Sequence, residues 1–158
     1  PIRDAADYII DTTSLSPSQL RGRIVTIFEG ETTPMLISCQ SFGFRNGLPQ
    51  DADLVFDVRC LPNPFYVPEL KHKTGLDQEV VDYVMASTDS QELLRRYEHM
   101  LEFALPLYVK EGKSQLMIAV GCTGGKHRSI TFARKIAAFC EKLGYAPSVQ
   151  HRDVKRSL

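Results

Sequence analysis

The residues best able to do chemistry form one unbroken stretch, Gly121-Cys122-Thr123-Gly124-Gly125-Lys126-His127-Arg128-Ser129. An apolar run at 116–120 precedes it and reads as a buried strand. A helical pattern follows, running to about residue 143 and stopping at Gly144. Strand, glycine loop and helix in this order put the loop at the carboxyl end of a strand, where open α/β sheets bind ligands. Successive backbone N–H groups and the helix dipole then favour an anion. Gly121, Gly124 and Gly125 let the backbone close tightly. Thr123 and Ser129 add hydroxyl donors, and Arg128 can grip a phosphate through two parallel bonds. Lys126 and His127 add positive or titratable character. The expectation is a phosphate site formed by Cys122, Thr123, Gly124, Gly125, His127, Arg128 and Ser129; the plainer alternative is a helix cap with surface charges. The spacing is not that of a Walker A loop, which requires Gly-x4-Gly-Lys-Ser/Thr.

The same residues read C-x5-R-S from Cys122 to Ser129, which resembles the phosphate loop of protein tyrosine phosphatases. On that alternative Cys122 is a thiolate nucleophile, activated by the helix N-terminus and Arg128. Asp57 or Asp77 would protonate the leaving group. Gly121 stands where those enzymes carry histidine.

A second constellation mixes cations and aromatics. Arg45, Arg59, Lys71, His72 and Lys73 lie among Phe42, Phe44, Phe65 and Tyr66. Such mixtures can stack on bases and contact phosphates. Phe42 and Phe44 alternate with glycine and are expected to pack inward. Arg59 ends a strand and either pairs with Asp57 or Asp53 or points into the site. The tail adds His151, Arg152, Lys155 and Arg156. Lys and Arg balance Asp and Glu at 19 each, so any attraction for anions must be local. His72, His99, His127 and His151 lack metal-ligand spacing, and Cys39, Cys60, Cys122 and Cys140 form no C-x-x-C pair, so no metal site is expected. Widely spaced cysteines in a chain of this size indicate a reducing compartment. No apolar run is long enough to span a bilayer.

The elements that must position these residues follow from pattern and punctuation. Strands are expected at 6–10, 35–39 and 54–58. Ser16-Pro17 starts a helix to about residue 28. The prolines of 61–68 demand an extended loop. A short helix is expected at 77–85. An amphipathic helix is expected at 91–109, with Leu94, Tyr97, Leu101 and Leu105 on one face and Pro106 kinking or ending it. The alternation gives an α/β domain with a mostly parallel or mixed sheet flanked by helices on both faces.

Several blocks, in order, closely resemble the RapZ/YvcJ family. They are residues 41–49 (Ser-Phe-Gly-Phe-Arg-Asn-Gly-Leu-Pro), 51–59 (Asp-Ala-Asp-Leu-Val-Phe-Asp-Val-Arg) and Leu61-Pro62-Asn63-Pro64. Leu70 with Thr74-Gly75-Leu76-Asp77, the glycine loop, and His151-Arg152 with its basic tail complete them. The resemblance implies a two-domain cytoplasmic protein whose N-terminal P-loop domain binds ATP or GTP. Residues 1–30 would be the last strand and helix of that domain plus a linker, and 31–158 a C-terminal domain like a phosphofructokinase subdomain, without a cofactor of its own. It further implies a non-enzymatic RNase adapter domain that binds glucosamine-6-phosphate and small regulatory RNA, meets an endoribonuclease and forms homo-oligomers. Cys122, Thr123, Gly124, His127 and Arg128 would hold the phosphate, and Asn46, Arg59 and Phe65 the sugar. Arg45, Lys71, Lys73, Arg152, Lys155 and Arg156 would face RNA. Asn46 and Phe65 stand where enterobacterial members often carry histidine, which places the chain nearer Gram-positive or clostridial relatives.

Overall fold

A computed structural model describes residues 35–155 without interruption, together with a few positions between 10 and 24. The elements, in chain order, are β1 (Leu36–Gly43), β2 (Leu54–Asp57), α1 (Gln78–Ala86), α2 (Thr88–Glu111), β3 (Gln115–Cys122), α3 (Arg128–Lys142) and β4 (Ser148–His151). Single 3-10 turns lie at Phe44–Asn46 and Pro64–Tyr66. The strands form one four-stranded sheet in the order β2-β3-β1-β4. Every pairing is parallel, with Cys39 opposite Ile118 and Gly43 opposite Cys122. This is the expected α/β architecture, with a sheet that is wholly parallel among the described residues; the expected cover on both faces is not seen there, since α1, α2 and α3 all join the core cluster on one face. All four strands therefore end at one edge, where the chemistry-bearing loops gather.

One face of the sheet carries the core. Ile37 and Cys39 of β1, Leu116, Ile118 and Val120 of β3, and Phe56 of β2 pack with Phe132, Ala133, Ile136 and Cys140 of α3. Leu94, Leu101 and Leu105 of α2 and Val80 and Val84 of α1 extend this cluster. Each such aliphatic side chain, fully buried, stabilises by about 1.5–3 kcal/mol. Tyr97 ties α2 to the sheet: its ring stacks on Phe56 at 4.2 Å and its hydroxyl donates to the Asp57 carbonyl at 2.9 Å.

Some expectations shift. The long helix begins before residue 91 and runs through Pro106 to Glu111. Pro106 and Glu102, whose carbonyl loses its helical donor, are both exposed, so the lost bond falls on the solvent side of the helix rather than in the core. The proline-rich loop contains a helical turn, because Pro64 occupies its first position and the Asn63 side chain caps it by accepting from the Phe65 N–H. β4 lies in what composition marks only as a basic tail; its Ser-Val-Gln-His sequence offers no apolar alternation. Position 17 is helical and the Leu20 N–H donates to the Ser16 carbonyl, as expected of that helix start. The expected strand at 6–10 and the rest of that helix fall largely outside the described residues.

Two glycines hold the functional edge together. Gly125 adopts φ +81°, and a Cβ there would stand 2.7 Å from the Gly43 nitrogen and 2.9 Å from the Asp153 Cβ. Gly121 is overlain by the rings of Phe42 and Phe44. Gly125→Ala is expected to cost about 2–4 kcal/mol from backbone strain and overpacking together. Urea unfolding of the whole chain measures this; an unchanged midpoint would contradict the packing described.

Candidate functional site

The carboxyl ends of β1, β2 and β3 and the first turn of α3 enclose a cleft of about 180 Å³. Cys122, Thr123, Gly124, Lys126, His127 and Arg128 line it from the glycine loop. Arg45, Asn63, Phe65 and Tyr66 line it from the loops after β1 and β2. The loop is anchored on three sides. The Arg45 N–H donates to the Thr123 carbonyl, the Val58 N–H to that of Gly121, and the Gly75 N–H to that of Lys126. The first N–H groups of α3 have no intrahelical acceptor, which leaves the helix end electropositive.

Arg128 is almost wholly buried. Its Nη1 donates to the carbonyls of Arg59 at 2.7 Å and Leu61 at 2.8 Å, locking the loop after β2 onto α3. Its Nη2 stands 3.4 Å from Thr123 Oγ1. Its Nε and the Nε2 of buried His127 have no hydrogen-bond partner among the described residues. Burial holds the His127 imidazole below its ordinary value, with the Arg128 charge acting the same way, against the pull of the Lys73, Leu70 and Lys71 carbonyls. A buried guanidinium N–H without a partner costs energy that an anion would relieve, and the His127 Nε2 would join it as a donor once the ring is protonated.

Cys122 is buried and its Sγ lies 3.1 Å from Ser129 Oγ and 3.2 Å from the Gly125 N–H that donates to it. Neither candidate proton donor reaches the cleft. Asp57 pairs with Arg59, whose hydrogen bonds hold its carboxyl below the usual range. Asp77 accepts from the Thr74 backbone N–H and hydroxyl, which likewise lower its value. Both are ionised at neutral pH and unsuited to protonate a leaving group.

The remaining predicted residues fall in several places. Arg45 lies over Gly124 at the mouth. Arg59 pairs with Asp57 and covers the Phe44 ring at 3.9 Å. Asn46 bonds to Asp153. Neither Arg59 nor Asn46 lines the cleft, whereas Phe65 does. Lys71 sits 4.9 Å over the Phe65 ring, and Lys73 pairs with Glu79. Arg152 donates to the Gly47 carbonyl at 2.7 Å and to Asp153. Lys155 is exposed, and Arg156 lies outside the described residues.

Pattern reading missed Asp153, Asn63 and Tyr66. Asp153 is fully buried and accepts from the Gly43 N–H at 2.8 Å. Burial alone would raise its carboxyl, but Arg152, Gly43 and Asn46 hold it below the usual range. Its one signal was an acid among basic neighbours. Asn63 could have been found as a cap before Pro64. Tyr66 was noticed as an aromatic beside cations, but nothing in its spacing placed it at the cleft.

Residues 35–155 match the family model described as the RapZ C-terminal domain. The chain belongs to that family. It is 49% identical over 159 residues to a protein of Caldicellulosiruptor saccharolyticus named "Nucleotide-binding protein", covering 99% of this chain and 54% of that protein. Proteins of the same name from Limosilactobacillus reuteri and Clostridium kluyveri are 49% and 46% identical over 157 and 160 residues. Those matches cover 99% of this chain and 54% and 55% of theirs. The chain thus spans about half the length of the curated relatives it matches. No helix among the described residues is long and apolar enough to cross a membrane.

His127 gives the RapZ-type site a pH signature. In the folded chain its lowered value means the unfolded chain takes up the proton first as pH falls, so its contribution to stability is present above about pH 6.5 and lost below it. A bound phosphate dianion reverses the preference and favours imidazolium. Phosphate binding near pH 7 is therefore expected to take up protons, and His127→Gln to abolish the uptake. Calorimetry in buffers of different ionisation enthalpy measures it; no uptake in the parent chain would remove His127 from the site.

Proposed function

We propose that the cleft binds a phosphomonoester, and that the chain is the sensor and RNA-binding part of a RapZ-type adapter. The observation that carries this is a pair of buried nitrogens without partners among the described residues, Arg128 Nε and His127 Nε2, at an open helix N-terminus. The family resemblance supplies the ligand class, a sugar phosphate of the glucosamine-6-phosphate type, and a regulatory RNA as partner. Arg45 at the mouth and Lys71 on Phe65 would lie on the RNA-facing side, with Lys73, Arg152, Lys155 and Arg156 as its further candidates. An endoribonuclease partner, homo-oligomer formation and a cytoplasmic setting belong to the same reading. The relatives are named for nucleotide binding, and the ATP or GTP site is assigned to a P-loop domain preceding this chain, whose last elements would be residues 1–30.

A phosphatase reading has in its favour that the Cys122 Sγ lies against the Ser129 hydroxyl and the Gly125 N–H. It lacks a protonated acid at the cleft, and the adapter reading is preferred.

Calorimetric titration with glucosamine-6-phosphate, fructose-6-phosphate and inorganic phosphate tests the reading. Arg128→Lys is expected to weaken binding by about 1.5–3 kcal/mol, the scale of a charge-assisted hydrogen bond. Arg128 also locks a loop, so melting of the variant is checked and Lys126→Ala, a half-buried side chain, serves as a second probe. Affinity unchanged in both would place the phosphate elsewhere; hydrolysis of an aryl phosphate, lost in Cys122→Ser, would favour the phosphatase.

A further inference from the structure

The sheet keeps one edge with hydrogen-bonding capacity to spare. β4 is the outermost strand in the order β2-β3-β1-β4 and, among the described residues, pairs with β1 alone. Along a parallel ladder, a strand turns the N–H and C=O of alternate residues to the same neighbour. The Arg152 N–H donates to the Ser41 carbonyl, so Gln150 and Arg152 face β1. Val149 and His151 have the opposite parity and direct their backbone groups outward from the sheet. Such an edge is a template for a further strand, and β4 carries neither the proline nor the lysine that commonly blunts one.

A groove of about 300 Å³ lies beside this edge, between β4 and α3. Its middle is apolar, formed by Ala138, Pro147 and Val149, with Val149 40% exposed. Its ends carry opposite charge. α3 starts at the carboxyl edge of the sheet and runs back towards the start of β4. Arg134 therefore lies at the same end as His151, and Glu141 at the other. His151 is held there by its Nδ1, 2.9 Å from Ser41 Oγ. An extended peptide fits this pattern better than a nucleic-acid strand does. Its backbone offers the C=O and N–H groups that the edge lacks, whereas a phosphate chain would meet the Glu141 carboxylate. A second copy of the chain fits less well, because the groove-side residues of its β4, Val149 and His151, already face its own α3.

We propose that this edge docks an extended segment of another protein as a further strand of the sheet. From Arg134 to Glu141, α3 rises about 10 Å. Alternate residues of an extended chain share a face, and positions i to i+4 span about 13 Å. The segment is therefore acidic at i, apolar at i+2 and basic at i+4, or the reverse where it runs the other way. The acid meets Arg134 and His151, the apolar side chain meets Ala138 and Val149, and the base meets Glu141. Backbone pairing supplies the affinity and these side chains the selectivity.

Random heptapeptides displayed on phage, selected on the whole chain and then made synthetically, test this. Selection is expected to return sequences with that charge pattern. Val149→Pro deletes an outward N–H while leaving the pairing with β1, and is expected to weaken the selected peptides by about tenfold. Ala138→Trp, at an exposed position in the groove, fills it and should act alike. On Arg134→Glu, selection should instead return basic residues at both outer positions. Melting of each variant checks the fold, and Ala138→Trp carries the test if Val149→Pro does not fold. No enriched sequence, or peptides bound equally by the parent chain and the folded groove variants, overturns the proposal. Single-stranded RNA that displaces the peptides and binds Val149→Pro as tightly as the parent overturns it and gives the groove to RNA. A sedimentation mass that falls to the monomer's in Val149→Pro overturns it in favour of a second copy.

Discussion

The buried carboxylate of Asp153 is the contact on which the functional edge depends. It accepts the last N–H of β1, at Gly43, and holds Arg152, which in turn reaches the Gly47 carbonyl beyond the following turn. Gly125 fits between them so closely that a methyl group would strike both the Gly43 nitrogen and the Asp153 side chain. The end of β1, the glycine loop and the tail after β4 thus form one interlocked unit. Removing the carboxylate would strand a buried N–H and leave a half-buried guanidinium without its partner.

On that support, the loop can keep polar groups in an unfavourable state. Arg128 uses one arm to clamp the Arg59 and Leu61 carbonyls, and its Nε and His127 Nε2 are buried without a partner among the described residues. Such groups would normally recruit a partner or water. Here the clamp holds the Arg128 guanidinium in place, and on the proposed reading an anion would complete both groups. Preorganisation of this kind would lower the cost of binding, because fewer side chains need be ordered when the anion arrives.

Much of this was legible in the residues. The glycine loop between an apolar strand and a helix announced its own position at a strand's carboxyl end, and the core helices declared themselves through Leu94, Leu101 and Leu105. Family resemblance named the domain that the comparison then matched. What stayed hidden was non-local. β4 has no apolar period and is a strand only because β1 offers it an edge, with His151 Nδ1 2.9 Å from Ser41 Oγ. Asp153 looked like one charge in a basic tail, and only the close approach of Gly43 and Gly125 gives it a role. Arg59 was left between pairing and pointing into the site; the Asp57 carboxylate two residues away decided for pairing. Tyr66 could not be placed at the cleft, since a turn inside a proline-rich loop determines where it points.

The central claim is that phosphate enters at the head of α3. Backbone amide NMR during titration with inorganic phosphate tests it most directly. The account predicts the largest shift changes at Thr123, Gly124, Lys126, His127 and Arg128, with smaller ones at Arg45 and Asn63. Saturable shifts centred elsewhere, or none at these amides, would contradict it.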